Sequence, residues 1–332
     1  MNKYLGHPSQ MSGIDEVILA KGKGKGLTLL EIRNGLGLHL TLSVDRCMDI
    51  SRLSFKGDNM GYFAPSGYVS PSFYDNRGDA FLKSFTAGFL TTCGLEGAGK
   101  PCIDSGMEIP MHGSISNSPC EHYYYTEDDD CIKVYAEIRD AALFSVKLYM
   151  HRTYIISKRC NKITIKDCIE NVGVVDAPCM LLYHFNMGYP LLSENAKVFI
   201  PHKSAVARDA HAQTGFDKKL EMEKPQNNYV EMCYYYDMEE HEGMAKAGIF
   251  NPDIKKGLCI KYNKDTLDNF IQWKMMGETE YVLGLEPANC TPDGRDVMRE
   301  KGMLKIINPG DKYETFIEID FTESEDSNSF YF

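Results

Sequence analysis

Nowhere in the 332 residues do about 18 apolar residues run together, the length a helix needs to cross a bilayer. The opening "MNKYLGHPSQMSGIDE" also lacks the apolar stretch of a signal peptide, so a cytoplasmic protein is expected. Positive charge is in short supply. With 36 Lys and Arg against 47 Asp and Glu the net charge is −11, and such a surface repels phosphate backbones and anionic lipid. Neither nucleic acid nor membrane is expected as a partner. No C-x-x-C pair occurs, and the eleven cysteines are an odd number. Reduced, buried thiols fit this better than disulfides or a zinc centre. Long helical patterns, internal repeats and low-complexity linkers are missing too. Nothing divides the chain, and 43% hydrophobic residues suffice for a large core.

What is there is period-2 alternation. In "CIKVYAEIRD" Ile132, Val134, Ala136 and Ile138 share one face, and Lys133, Tyr135, Glu137 and Arg139 the other. "FSVKLYMHRTYII" repeats this with Val146, Leu148 and Met150, and "KRCNKITIKD" adds a turn and then Ile163 and Ile165. Three such segments joined by short polar turns predict an antiparallel meander. "GLTLLEIRNGLGLHLTLSVDRCMDISRLSF" reads as strand, Asn-Gly turn, strand and a further strand. The best helical candidate is short: "KDTLDNFIQW", capped by Asp265 or Thr266. The fold class expected is all-β, a large sandwich or barrel with long functional loops.

Two conspicuous stretches carry little chemistry. "KGKGKG" at 21–26 lacks the strand-to-helix context and the Ser/Thr of a phosphate loop, and reads as a basic turn. "TEDDD" at 126–130 lacks the spacing of a calcium loop and reads as a solvated turn between strands. The tyrosine runs at 123–125 and 234–236 are strand formers.

Three segments place polar groups at strand ends. "MHGSISNSP" clusters His112, Ser114, Ser116 and Asn117 on a loop. In "MLLYHFNMGYP" Met180, Leu182, His184 and Asn186 share one parity, so an apolar face turns polar just before Gly188 and Pro190 end the strand. In "EYVLGLEPANCTPDGRD" Val282, Gly284 and Glu286 share a face, and the missing side chain at Gly284 leaves room for a ligand beside the carboxylate. A lone histidine in an apolar strand is usually a hydrogen-bonded structural group, and a glutamate before proline a strand-end charge. Together the two make an acid and a base. Ordinary pKa values of about 6.5 and about 4.3 let imidazolium and carboxylate coexist near neutral pH, and proximity would reinforce both charges.

Taken in order, "MHGSISN", "YHFNMGYP", "QWKMMGETEYVLGLEPAN" and "DGRDVMREKGMLKIINPGDKYETFIEI" resemble the aldose 1-epimerase (galactose mutarotase-like) superfamily, in particular its DUF4432-type branch; "VDRCMDI" and "GFLTTCGLEGAG" resemble that branch as well. The likeness covers residues 25–322. It implies a single mostly antiparallel β-supersandwich over 1–332, with the first 24 residues or so a peripheral arm, and a sugar cleft on one sheet. It also implies a cofactor-free, metal-free isomerase in which His184 protonates the ring oxygen and Glu286 takes the anomeric hydroxyl proton. His112 matches a second, sugar-holding histidine. Asn117, Asn186, Lys274, Asn289 and Arg295 are candidates for hydroxyl contacts. Asp45 and Arg46, with Asp49, either reach the same cleft or form a buried structural pair.

Relatives of this branch often carry arginine after "HG" and near the "GLLTTCGL"-like segment, where this chain has Ser114 and Lys83-Ser84-Phe85-Thr86. Fewer guanidinium groups weaken bidentate binding of carboxylate or phosphate, so a neutral aldose or deoxy sugar is expected unless Lys274 or Arg295 restores an anion site. The expected partner is a small-molecule monosaccharide, and a homodimer is left open. Two other functions fit the same residues: a non-catalytic carbohydrate-binding or sensor protein, and an isomerase or epimerase acting at the carbon next to the sugar carbonyl.

Overall fold

The computed structural model describes residues 3–325 and residue 330. It is about 51% strand and 9% helix, which bears out the all-β reading. Three sheets carry the architecture. An N-terminal five-stranded sheet runs in the order Gly13–Ile18, Thr28–Arg33, Leu38–Ser43, Asp49–Phe55 and Asp58–Asn59. The segment expected as a peripheral arm therefore includes a paired strand: Gly13 to Ile18 zip against Arg33 to Thr28.

The expected meander forms half of an eight-stranded sheet. Cys120–Glu127, Cys131–Ala141, Lys147–Ser157 and Lys162–Asn171 pair antiparallel in chain order, and Lys312–Thr322, Lys256–Asn263, Met244–Asn251 and Lys197–Phe199 complete it. Its alternation survives intact, since Ile132, Val134, Ile138, Leu148, Met150 and Ile163 are all fully buried. A seven-stranded sheet holds His202–Ala207, Met232–Met238, Asn269–Met276, Tyr281–Ala288, Ala177–Met187 and Lys305–Ile307 in that order, and Leu90–Leu95 pairs with the Ala177–Met187 strand.

Strand parity divides the seven-stranded sheet into two chemistries. Tyr183, Phe185, Leu283, Leu285, Tyr234 and Phe270 face the core shared with the eight-stranded sheet. Met180, Leu182, Ile271 and Ala288 face the other way, into a smaller apolar cluster with Cys290 and Met298. The second face carries the candidate site.

One guanidinium joins all three sheets from within. Arg152, fully buried, bonds Asp49 at 2.8 Å and the carbonyl of Cys47 from the first sheet side, Asp167 at 2.7 and 2.9 Å on its own sheet, and Thr92 at 2.9 Å on the third. Tyr183 completes the network by donating to Asp167 at 2.6 Å. A buried charge is tolerated only when its donors are satisfied in this way.

The helical reading of "KDTLDNFIQW" is overturned. Asn269–Met276 is a strand, because Ile271, Trp273 and Met275 alternate with Phe270, Gln272 and Lys274, and only a turn precedes it. The α-helices of the described residues are Ala210–Thr214 and Arg295–Glu300. None of the eleven cysteines is in a disulfide. No helix among the described residues is long and apolar enough to cross a membrane, and none of their His, Cys, Asp and Glu cluster in a way that could hold a metal ion.

Candidate active site

A cavity of about 750 Å³ opens on the second face of the seven-stranded sheet. Its floor is built by alternation: Cys233 from one strand, Ile271, Trp273 and Met275 from the next, Val282 and Glu286 from the third, His184 from the fourth. Segments outside these strands close the sides with Tyr62, Phe81, Phe85, Lys100, His112 and Arg208.

His184 and Glu286 meet at the floor. Phe185 pairs with Leu285 and Asn186 with Gly284, so the same register sets His184 across from Glu286 on the neighbouring strand. Nε2 of His184 lies 3.3 Å from Oε1 of Glu286. The expected room beside Gly284 exists, but the carboxylate of Glu286 itself occupies it: a Cβ on Gly284 would lie 2.3 Å from Oε1. The imidazole of His184 is held edge-on between Trp273 and Phe85, with centroids 5.3 and 5.5 Å away, and stands 5.7 Å from the ring of His112.

Burial sets the electrostatics, and here the expectation of two reinforced charges needs correction. Desolvation, aided by His112, pushes the His184 pKa down to about 3. Desolvation takes His112 down to about 4, against the pull of Glu231. Burial together with Glu231 raises Glu286 well above the ordinary carboxylate range. Both drifts favour neutral imidazole beside carboxylic acid. That arrangement has the same proton count as imidazolium beside carboxylate, so the pair holds one proton in either form.

Stability should record the buried histidines. Below their ordinary pKa of 6.5 the unfolded chain binds protons that the folded chain refuses, so each histidine costs stability as pH falls from 6.5 toward about 4. Thermal melts of His112→Gln should gain on wild type across that window, by up to about 1.4 kcal/mol per pH unit. A difference that does not change with pH would contradict a neutral buried His112.

Of the residues singled out in the sequence, His184, Glu286 and His112 line the cavity. The others do not, and each has a visible reason. Lys274 has the opposite strand parity to Trp273 and donates to the carbonyl of Glu221 at 2.6 Å. Asn289 bridges the backbone of Leu181 and Cys179. Arg295 bonds Asp104 at 2.6 Å and the carbonyl of Glu96. Asn117 ends a 3-10 turn and donates to Ser116. Asn186 is fully buried and donates to the carbonyl of His184. Asp45 accepts from the Thr28 amide, and Arg46 donates to the carbonyl of Val69. The buried Asp-Arg pair of this region is Asp49 with Arg152.

Among the polar residues of the cavity that sequence reasoning missed, Trp273, Glu231 and Arg208 form one linked group. Trp273 Nε1 donates to Glu231 Oε2 at 2.6 Å, and Arg208 reaches Glu231 Oε1 at 3.1 Å, Asp209 at 3.0 Å and the Cys233 sulfur at 3.0 Å. Burial opposes the Arg208 charge, but Cys233, Asp209 and Glu231 outweigh it and hold the cation. Parity could have found Trp273, two residues from Ile271 on the cavity face. Arg208 and Glu231 sit outside any periodic pattern and read as solvated charges.

Comparison with known proteins gives the setting. The family model described as Domain of unknown function (DUF4432) matches residues 24–321. No curated protein sequence matches the chain. Among solved structures, a "putative aldose 1-epimerase" from Klebsiella pneumoniae is 23% identical with a TM-score of 0.88, over 93% of this chain and 83% of that one. A galactose mutarotase-like protein from Clostridium acetobutylicum is 14% identical with a TM-score of 0.70, over 94% and 99%. A galactose 1-epimerase from Lactobacillus acidophilus is 12% identical with a TM-score of 0.62, over 95% and 100%. The chain belongs to the DUF4432 family, and its fold is that of the galactose mutarotase-like proteins.

Proposed function

We propose that the protein is a sugar mutarotase, interconverting the α and β anomers of a monosaccharide without a cofactor. The observation that carries this reading is the His184–Glu286 pair at the floor of the cavity, holding one proton between two groups of opposite drift in pKa. Mutarotation needs one proton delivered to the ring oxygen and one removed from the anomeric hydroxyl, and both oxygens are bonded to C1. Acid and base must therefore reach neighbouring atoms. Side chains 3.3 Å apart suit that better than a pair facing each other across a sugar-sized gap would.

The steps follow from the shared proton. One member of the pair gives its proton to the ring oxygen while the other accepts from the hydroxyl at C1, and the C1–ring-oxygen bond breaks to leave the open aldehyde. Rotation about C1–C2 presents the other carbonyl face, and closure with the roles reversed gives the second anomer. The superfamily likeness assigns the ring oxygen to His184 and the anomeric hydroxyl to Glu286. Only protons on oxygen move, so the reaction calls for no electron sink or metal. A cavity of about 750 Å³ lies within the usual range of small-molecule sites and leaves the open form room to rotate.

Cavity charge favours a neutral aldose or deoxy sugar. Asp79, Glu231 and Glu280 outnumber Lys100 and Arg208, and Arg208 is committed to Asp209 and Glu231. Lys274 and Arg295, the cations that could have made an anion site, are bound elsewhere.

The test is a panel of neutral aldoses and deoxy sugars in anomer-exchange NMR. At least one sugar should exchange faster than the buffer rate, and the fluorescence of Trp273, the chain's one tryptophan, should change on binding it. Binding without acceleration would replace the proposal with a carbohydrate-binding role. Solvent deuterium entering at carbon would replace it with isomerisation next to the carbonyl.

A further inference from the structure

His184 Nδ1 and Asn186 Oδ1 are both buried, and neither has a hydrogen-bond partner in the structure. Such orphans are uncommon, because an unpaired buried polar atom costs about 1–3 kcal/mol. Here two of complementary type lie on one face of one strand, two residues apart. An amide oxygen can only accept, and an imidazole nitrogen donates when it carries the proton.

The amide orientation is fixed independently. Asn186 Nδ2 donates to the carbonyl of His184 at 2.8 Å, and turning the amide over would set two acceptors against each other. The backbone beneath is pinned as well, since the Asn186 amide donates to the carbonyl of Phe89. Across the ladder Asn186 pairs with Gly284, whose missing side chain leaves the space that Glu286 fills. Glu286 faces the other ring nitrogen.

We infer that Asn186 is a positioning residue that accepts the Nδ1 proton of His184, fixes the Nδ1–H tautomer and leaves Nε2 as the nitrogen that exchanges protons with Glu286 and the sugar. This rests on the mutarotase reading for its catalytic meaning, but the tautomer itself does not. A neutral amide also suits the site better than a carboxylate would. An aspartate here would stabilise imidazolium and hold the proton on His184, whereas an asparagine orients the ring and leaves it a weak base. Glu286 on the next strand and His112 on its loop stand nearest to His184, and the charged or titratable groups that also line the cavity are Glu231, Arg208, Asp79, Lys100, Glu280, Cys233 and Tyr62; Thr91 on the remaining strand is neutral.

The primary test needs no substrate. In nitrogen-15 NMR of the histidine-labelled protein near pH 7, with the signal of His184 assigned by its loss in His184→Gln, Nδ1 should carry the proton and Nε2 should not. A wild-type ring protonated on Nε2 would overturn the inference and leave the mutarotase reading untouched. Two variants add a kinetic readout on any sugar that exchanges. Asn186→Leu should lower kcat about 10–100-fold with little change in KM and release the tautomer. Asn186→Asp should restore the Nδ1–H tautomer and shift the acid limb of the pH–rate profile upward. A change in KM alone, with the tautomer unmoved, would show that Asn186 does not orient the ring. If no sugar is turned over while Nδ1–H is seen, the function fails and the positioning stands.

Discussion

Glu286→Gln should abolish anomer exchange and, at neutral pH, make the protein more stable. Glutamine keeps the shape of the side chain above Gly284 but can neither take nor give the proton, and loss of one positioned acid–base group costs ~10² to 10⁴ in rate. The stability gain follows from the raised pKa. Above about pH 4.5 the unfolded carboxyl ionises freely while burial holds the folded one protonated, so wild type loses stability as pH rises toward the folded value. The variant is spared that loss. Its advantage in thermal melts, on the order of 1 kcal/mol at pH 7, should shrink toward pH 4.5, in line with the common exchange of stability for activity at such sites. Wild-type exchange rates in a folded Glu286→Gln protein would remove Glu286 from the chemistry.

Gly284→Ala should cost nearly as much activity without touching an ionisable group. The added methyl would stand 2.3 Å from Oε1 of Glu286 and 2.9 Å from Cβ of Trp273, so the carboxylate has to leave its place beside His184. Displacement of about 1 Å at a reacting group is enough for a ~10²-fold loss. The backbone of Gly284 is ordinary strand, so the fold should persist with a penalty of about 1–3 kcal/mol for the crowding. Exchange rates give the first reading and Trp273 fluorescence the second, since the same methyl crowds Cβ of Trp273. An active Gly284→Ala with unchanged emission would mean that Glu286 has room to move and still work.

How much of this was legible beforehand depends on whether a residue's partner lies in its own pattern. Strands with one dry face, such as Ile132 to Ile138, declare themselves, because period-2 burial is written along a single segment. His184 and Glu286 were also legible, as polar ends of apolar strands and through the order of motifs. Their direct contact was not, since the register that sets Phe185 opposite Leu285 is decided by sheet closure. Lys274 misled because a cation in a motif invites a ligand, while the alternation through Ile271 and Trp273 turns it to the other face. Arg295 misled in the same way; its partner Asp104 is 191 residues away in the chain. The charge states went the wrong way for a related reason. Ordinary pKa values describe solvated groups, and the sequence does not show how completely water is removed.

Arg152 ties the strand beneath the site to both other sheets through Asp49, Asp167 and Thr92, and Tyr183, next to His184, bonds into the same network. The floor that presents the acid and base is thus clamped from behind, on the face a ligand never sees. Change of sugar preference within such a scaffold has little to gain from the strands. It is free to come from the segments around Tyr62, Phe81, Lys100 and Arg208, which border the cavity and bear none of that load. Two members of the family could share the same chemistry to the last proton and still differ wholly in the sugar they accept.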